Sequence, residues 1–231
     1  MIFRVATYNV HKCKGMDWRV SCARIADVIG DLEADILTTQ EILLSQAEEI
    51  SKRTGVPFLF GTARQHAGEP YGNALFTKFT VDSHESSDLT VPGREQRQCL
   101  RVSLVSAEGI TIHVFAVHLG TSHAERREQA RHLLSPGILL SGGMRTHRIV
   151  AGDFNEWTRG LASQLLSEHL QSADIIMHLK RRTTYPGIFP FLHLDHIYYD
   201  RGLSLKSFRV HRSRKALLAS DHLPIVADFE F

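Results

Sequence analysis

Apolar runs recur along this chain, and each one ends on a polar side chain suited to chemistry. ATYNV delivers Asn9, ILTTQE delivers Glu41, and HVFAVHLG delivers His118. RIVAGDFN delivers Asp153 and Asn155, LHLDHIYY carries Asp195, and SDHLP sets Asp221 and His222 before a last apolar run. Short apolar runs of this kind read as buried strands. Side chains two apart on an extended chain share a face, so Asp153 and Asn155 would emerge together where their strand meets solvent. Each tip taken singly has a plainer explanation. GDFN is also good turn chemistry, Glu41 could open a helix, His118 could be a hydrogen-bonded edge histidine, and Asp221 could close a turn. Six such tips are hard to ascribe to chance, because polar residues at strand ends converge on one rim of a sheet.

The remaining pattern fits strands packed with helices. Strands are expected at residues 2–10, 35–40, 58–61, 74–77, 100–105, 110–118, 148–153, 193–199, 204–210 and 224–231. Helical spacing of Ile25, Val28, Ile29 and Leu32 predicts a helix over 19–32, and others are expected at 43–53, 122–134 and 160–169. Ser122 followed by Glu125 has the form of a capping box opening the third of these. Strands and helices alternate in the first half, and strands cluster in the middle and at the end. That mixture implies two facing sheets with helices outside rather than one wound parallel sheet. With 231 residues and no Pro/Gly/Ser-rich linker or repeat, a single domain over 1–231 is expected.

Composition narrows the partners. A net charge of +2 does not suggest a nonspecific nucleic-acid coat. Arg outnumbers Lys 20 to 7, a bias that suits planar recognition of phosphate and that a GC-rich genome would also produce. Cys13, Cys22 and Cys99 form no CxxC pair and read as reduced thiols. No charged leader with an apolar run opens the sequence, and no apolar run is long enough to cross a membrane. A cytoplasmic monomer is the expectation.

The set of tips suits metal-assisted hydrolysis of a phosphate ester. Glu41 and Asp221 are hard oxygen donors appropriate to Mg²⁺ or Mn²⁺. Asp153 could take a proton from an attacking water, with Asn155 orienting the water or the phosphate. His222, if protonated, could donate to the phosphoryl group, and Asp195 is a plausible partner fixing its orientation. A zinc hydrolase built on the many histidines is weaker, since His193-Leu194-Asp195-His196 lacks HExxH spacing and no cysteine pair supports a structural zinc.

TYNVH, QE, YGNALFTK, VHLG, GDFN, LDHIYY and SDHLP occur in an order and spacing that resembles the endonuclease/exonuclease/phosphatase superfamily, the DNase I-like fold. The resemblance spans Thr7 to His222. It implies a four-layer α/β/β/α sandwich and Mg²⁺-dependent cleavage of phosphodiesters or phosphomonoesters. It implies that Glu41 is the principal metal ligand with Asn9 and Asp221 nearby, and that Asp153 and Asn155 activate and orient water. On the same resemblance His118 and His222 contact phosphate, Asp195 orients His222, and Tyr71, Asn73 and Arg97 are auxiliary phosphate-site residues. Substrate does not follow from fold. Nucleic acid and a phospholipid head group both stay open, the latter because TYPGIFPFLHLDHIYY and HLGTSHAERREQARHLL look like a short bacterial subgroup. Arg209, Arg212, Arg214 and Lys215 either line the cleft or form a solvated loop. A catalytically inactive phosphoester-binding module on the same fold is the alternative, although no expected acidic or histidine position is replaced.

Overall fold

The computed structural model describes residues 1–141, 147–156, 160–176, 183–187 and 191–231. Two six-stranded sheets face each other. The first contains β1 (Ile2–Asn9), β2 (Ile36–Leu43), β3 (Phe58–His66), β4 (Glu69–Thr77), β11 (Ser204–Val210) and β12 (Ile225–Glu230), ordered β11-β12-β1-β2-β4-β3. The second contains β5 (Thr80–Asp88), β6 (Gln98–Val105), β7 (Thr111–His118), β8 (Arg148–Asp153), β9 (Gln171–Ser172) and β10 (Asp195–Tyr199), ordered β5-β6-β7-β8-β10-β9. Each sheet is mixed, with one parallel pair, β1/β2 and β7/β8 respectively, among antiparallel neighbours.

Strand alternation builds the layers. On β1, Phe3 and Val5 face the opposite sheet and join Leu100, Val102, Val114, Ile149 and Ile197 in the central core. The alternate residues Ala6 and Tyr8 face outward and pack under α1 (Cys22–Leu32) and α2 (Leu44–Thr54) with Ile25, Ile29 and Ile50. On the second sheet Phe115, Val117, Val150 and Tyr198 face outward against Ala130, Leu133 and Leu166 of α3 (His123–Leu133) and α4 (Leu161–Ser167). The result is the four-layer α/β/β/α sandwich. Among the described residues, no helix is long and apolar enough to cross a membrane.

Several elements depart from the sequence expectation. α1 begins at Cys22, three residues late, because Ser21 caps it by accepting from the Arg24 N–H at 3.3 Å. Ser122 sits at the N-cap of α3 but makes no side-chain cap bond. Glu125 turns inward instead and accepts from Gln129 at 3.3 Å, so the capping box does not form. β5 is absent from the sequence reading, since eight of its nine positions are exposed and it has no apolar face. The 188–190 part of the TYPGIFPFLHLDHIYY stretch lies outside the described residues.

Arg148, at the start of β8, is fixed by a buried forked pair. Its Nε and Nη2 donate to the two oxygens of Asp200 at 2.8 Å, and its Nη1 donates to the Leu139 carbonyl at 2.8 Å. Asp200→Asn should strand this buried cation and lower stability by about 3–5 kcal/mol, read from denaturant unfolding. A loss well under 1 kcal/mol would show that the pair contributes little.

Candidate active site

Alternation that points one residue into the core points its second neighbour along the strand the same way. On β8, Ile149 and Ala151 face the central core, so Asp153 faces inward at the strand's end. The same parity aims His118 after Ala116 on β7, Asp195 before Ile197 on β10, and Asn9 after Val5 and Thr7 on β1. Register then sets them side by side: His118 lies opposite Asp153 across β7/β8, and Asp153 lies opposite Asp195 across β8/β10. Gly152 explains the glycine of GDFN, because a Cβ there would lie 1.9 Å from the Val117 carbonyl oxygen on β7.

Glu41 breaks the parity rule, and the backbone shows how. Ile36 faces the central core and Leu37 faces α1, so residue 41 would point outward on a regular strand. The β2/β4 register slips between Thr39 and Ile42, and Glu41 takes a left-handed backbone conformation with φ +55°. This bulge turns the carboxylate into the cleft while Ile42 resumes outward packing. His11, Lys12 and Cys13 follow β1 in a tight turn with φ of +45°, +54° and +55°. Three successive non-glycine residues in that region are costly, and such strain clusters at functional sites. The turn brings Lys12 Nζ to 3.3 Å from Glu41 Oε2 and His11 Nδ1 to 3.4 Å from Asp221 Oδ1.

Asp153 is the hub. Its Oδ2 accepts from Asn9 Nδ2 at 2.9 Å, and its Oδ1 accepts from the Asn155 backbone N–H at 2.8 Å. His222 Nε2 and His118 Nε2 stand 3.6 and 3.7 Å from Asp153 Oδ2, beyond direct hydrogen bonding. Asn155, itself at φ +50°, donates to the Leu119 carbonyl at 2.9 Å and has its Nδ2 3.3 Å from His118 Nε2. His222 Nδ1 lies 2.9 Å from Asp195 Oδ2. Ser220 Oγ donates to the Asn9 carbonyl at 2.8 Å and accepts from the His222 N–H at 3.3 Å, holding the SDH turn against β1.

Burial and charge tune these groups in different directions. Burial pushes the Asp153 carboxyl up to about 6, even though His222 and the Asn9 amide pull against it. Burial opposes charge on His222 as well, but Asp195 and Asp153 outweigh it and raise the imidazole to about 10. Asp195 is lowered, with burial overcome by the charge and hydrogen bond of His222. Burial, aided by Arg97, lowers His118 to about 3, leaving it a neutral imidazole at neutral pH. Burial also opposes ionisation of Glu41, yet the Asn9 amide and the Lys12 ammonium outweigh it and lower the carboxyl below its ordinary value.

Asp153, Asn155, His118, His222 and Glu41 line a cleft of about 490 Å³ with Lys12, Arg64, Tyr71, Glu95, Arg97, Tyr185 and Asp221, and Asp195 is buried behind His222. The oxygen donors Glu41 and Asp221 share its wall without any thiolate, because all three cysteines are buried outside it. That donor set fits a hard divalent cation, which commonly needs only one or two carboxylates beside its waters. Asn9 stands between the carboxylates of Glu41 and Asp153. Its amide nitrogen bridges Glu41 at 3.1 Å and Asp153 at 2.9 Å, while its oxygen accepts from the His11 N–H at 3.0 Å, so it braces the two carboxylates.

Tyr71 and Arg97 line the cleft, whereas Asn73 is buried between the sheets and donates to the Gln98 and Ala116 carbonyls at 3.4 and 3.3 Å. The basic set lies elsewhere. Arg209 pairs with Asp228 at 3.7 Å, Lys215 pairs with Asp31 at 3.3 Å, and Arg212 donates to the Thr183 carbonyl at 2.9 Å. Neither these three nor Arg214 lines the cleft. The sequence reading missed Lys12, Arg64, Glu95 and Tyr185. Lys12 follows the β1 tip by three residues and was open to discovery there. Arg64 and Glu95 meet only through folding, bridged at 2.5 Å with the Arg64 guanidinium 4.6 Å from the Tyr71 ring centre.

The sequence matches the model of the Endonuclease/Exonuclease/phosphatase family over residues 6–222, and the chain belongs to that family. Its members and structural neighbours are hydrolases acting on phosphate esters, and the family generally uses divalent metals. The chain is 29% identical to the Escherichia coli protein YbhP over 246 residues, covering 98% of this chain and 95% of that protein. Among solved structures, a mannosyl-6-phosphatase of Bacteroides thetaiotaomicron superposes with a TM-score of 0.84 at 19% identity, covering 99% of this chain and all (100%) of that one. The human Nocturnin catalytic domain, with bound sulfate, superposes with a TM-score of 0.82 at 22% identity, covering 100% of this chain and 93% of that one.

The raised Asp153 carboxyl can be checked directly. Carbon-13 NMR of the metal-free protein should show one buried aspartate titrating near 6, anionic above that value and neutral below it. A midpoint near the ordinary aspartate value of about 4 would overturn the desolvated environment assigned to it.

Proposed function

We propose that the protein hydrolyses a phosphate ester by attack of a water activated by Asp153. The observation that carries the reading is the inward-facing Asp153, with Asn9 and Asn155 fixing its oxygens and two histidine Nε2 atoms poised just beyond contact. A carboxyl near 6 is ionised at neutral pH and basic enough to receive a proton. Asn155 orients the water or the phosphate, and His118 contacts the phosphoryl group as a neutral partner. His222, held protonated by Asp195, donates to a phosphoryl oxygen and balances its charge. Tyr71 and Arg97 offer further donors from the cleft wall. Glu41 and Asp221 would hold the cation, Mg²⁺ or Mn²⁺, which when bound neutralises phosphoryl oxygens and stabilises the leaving oxyanion.

The cleft favours a compact phosphoester over a long polyanion. Its cations Lys12, Arg64 and Arg97 lie within it, and the basic loop that could have extended a nucleic-acid track is paired elsewhere. The mannosyl-6-phosphatase neighbour is in keeping with a small substrate. Nucleic acid and phospholipid head groups belong in the same assay panel, with Mg²⁺ supplied. Neutralising Arg209, Arg212 and Arg214 together should leave KM nearly unchanged on the preferred substrate. A rise in KM of about tenfold or more, equivalent to roughly 1.4 kcal/mol of binding, would return that loop to the site.

Asp153→Asn separates an enzyme from an inactive binding module. The substitution keeps shape and removes the base, so kcat should fall by about a hundredfold or more while stability moves by about 1 kcal/mol. Turnover in the unmodified protein should vanish in excess EDTA, and Glu41→Gln should raise the Mg²⁺ concentration needed. An Asp153→Asn variant that melts and turns over normally would remove Asp153 from the mechanism.

A further inference from the structure

One residue along β10 from Asp195, the strand turns a histidine to the opposite face of the sheet. His196 packs edge-on against Phe154, with ring centres 5.4 Å apart, outside the cleft. Beside it stand His193, from the segment before β10, and Asp174, from the short helix α5 (Ala173–Ile176). Asp174 Oδ2 is 3.1 Å from His193 Nε2 and 3.6 Å from His196 Nδ1, and the three donor atoms lie within 4.8 Å of one another. Two donors each about 2.0–2.1 Å from a tetrahedral zinc stand about 3.4 Å apart. The separations of Asp174 Oδ2 from the two imidazole nitrogens, 3.1 and 3.6 Å, bracket that value.

The surroundings of these side chains are those of metal ligands. His196 Nε2 lies 3.0 Å from the Glu156 carbonyl oxygen, which can only accept, so the hydrogen is on Nε2. Among the described residues, its buried Nδ1 has no partner at hydrogen-bond distance, and it faces the Asp174 carboxylate at 3.6 Å. Burial opposes charge on His196, but Asp174 outweighs it and raises the imidazole, so a proton on Nδ1 answers the carboxylate in the metal-free protein; a zinc ion between the two would take that proton's place. Asp174 is held by its other oxygen, which accepts from the Ser172 hydroxyl. A histidine fixed through its remote N–H on a backbone carbonyl, beside a carboxylate that is itself hydrogen-bonded, is the usual outer arrangement around a zinc ligand set.

We propose that Asp174, His193 and His196 bind a zinc ion on the outer face of the second sheet, separate from the phosphoester cleft. Two imidazoles and one carboxylate favour Zn²⁺ over Mg²⁺, whereas Glu41 and Asp221 present oxygen only. Phe154 and Tyr198 flank the zinc site on the sheet side, and His193, 13% exposed, lies nearest its solvent edge; a zinc ion there would complete its coordination with water. The ion ties α5 to β10 directly behind Asp195 and stiffens the strand that orients His222. HLDH lacks the helical HExxH spacing because its two histidines flank a strand's start and take their third partner from upstream. The inference is independent of the hydrolytic reading.

The experiment uses the full chain, purified without a polyhistidine tag and stripped with chelator, then titrated with Co²⁺ as a spectroscopic substitute for Zn²⁺. Expected are one equivalent of uptake with visible absorption of a four- or five-coordinate nitrogen/oxygen site, displacement by one equivalent of Zn²⁺, and no displacement by excess Mg²⁺. Zn²⁺ should also raise the melting temperature. His193→Gln, at the solvent edge, should weaken uptake at least tenfold while circular dichroism stays that of the unmodified protein, and Glu41→Gln should retain it. Asp174→Asn should weaken it likewise. Failure of the unmodified chain to take up either ion overturns the proposal and shows a metal-free hydrogen-bonded cluster. Uptake that persists undiminished in His193→Gln and Asp174→Asn, or that Glu41→Gln abolishes, overturns it as well, by placing the ion elsewhere.

Discussion

The hydrogen bond from Asn9 Nδ2 to Asp153 Oδ2 crosses from one sheet to the other at the rim of the sandwich. A buried carboxylate is tolerated only when its lone pairs are met, and here one oxygen is met from the opposite sheet and the other from its own turn. The same amide nitrogen also reaches Glu41. Docking of the two apolar inner faces therefore completes the polar cluster, and the cluster in turn fixes how the faces meet at this end. Fold and site are one construction: the parity that fills the core with Val5, Ile149, Ala116 and Ile197 sets Asn9, Asp153, His118 and Asp195 on the same side a step or two farther along.

The separation of proton affinities follows from position within that cluster. Asp153 is buried with the Asp195 carboxylate close enough to raise it, and so retains basicity. Asp195 stabilises the charge on His222 through a direct contact of 2.9 Å and itself stays ionised. Two carboxylates on adjacent strands thus differ in role because one has an imidazolium in contact and the other only within reach. Divergent tuning of neighbouring titratable groups is the usual way a site obtains an acid and a base from similar side chains.

Much of this was legible from the chain. Alternation and the shared strand-end pattern disclosed the two-sheet sandwich and the inward tips, since both depend on period-two burial. Glu41 was legible as a residue type, but the device that aims it was not, because a bulge carries no sequence mark without glycine. The place of Asn73 was not legible either. It shares the inward parity of Tyr71 but sits deeper in the strand, where its amide closes backbone carbonyls between the sheets. Arg64 and Glu95 escaped because their pairing depends on β3 and the loop before β6 meeting in space. The capping box failed because Glu125 is drawn inward beside Gly120 and Gln129, a tertiary preference that outweighs a local one.

β5 hid from pattern reading because nothing on it asks to be buried. It closes one border of the second sheet, with Asp82, His84, Glu85 and Asp88 along its length and Glu85 joined to Arg101 of the neighbouring strand. An apolar strand in that place would offer its free amides and carbonyls, together with a sticky face, to any extended chain passing by. This strand offers the hydrogen bonds without the adhesion. Its blandness works as a selvedge, the finished margin that stops a woven cloth from taking up further threads, and a second copy of the protein meets charge where it would otherwise meet a template.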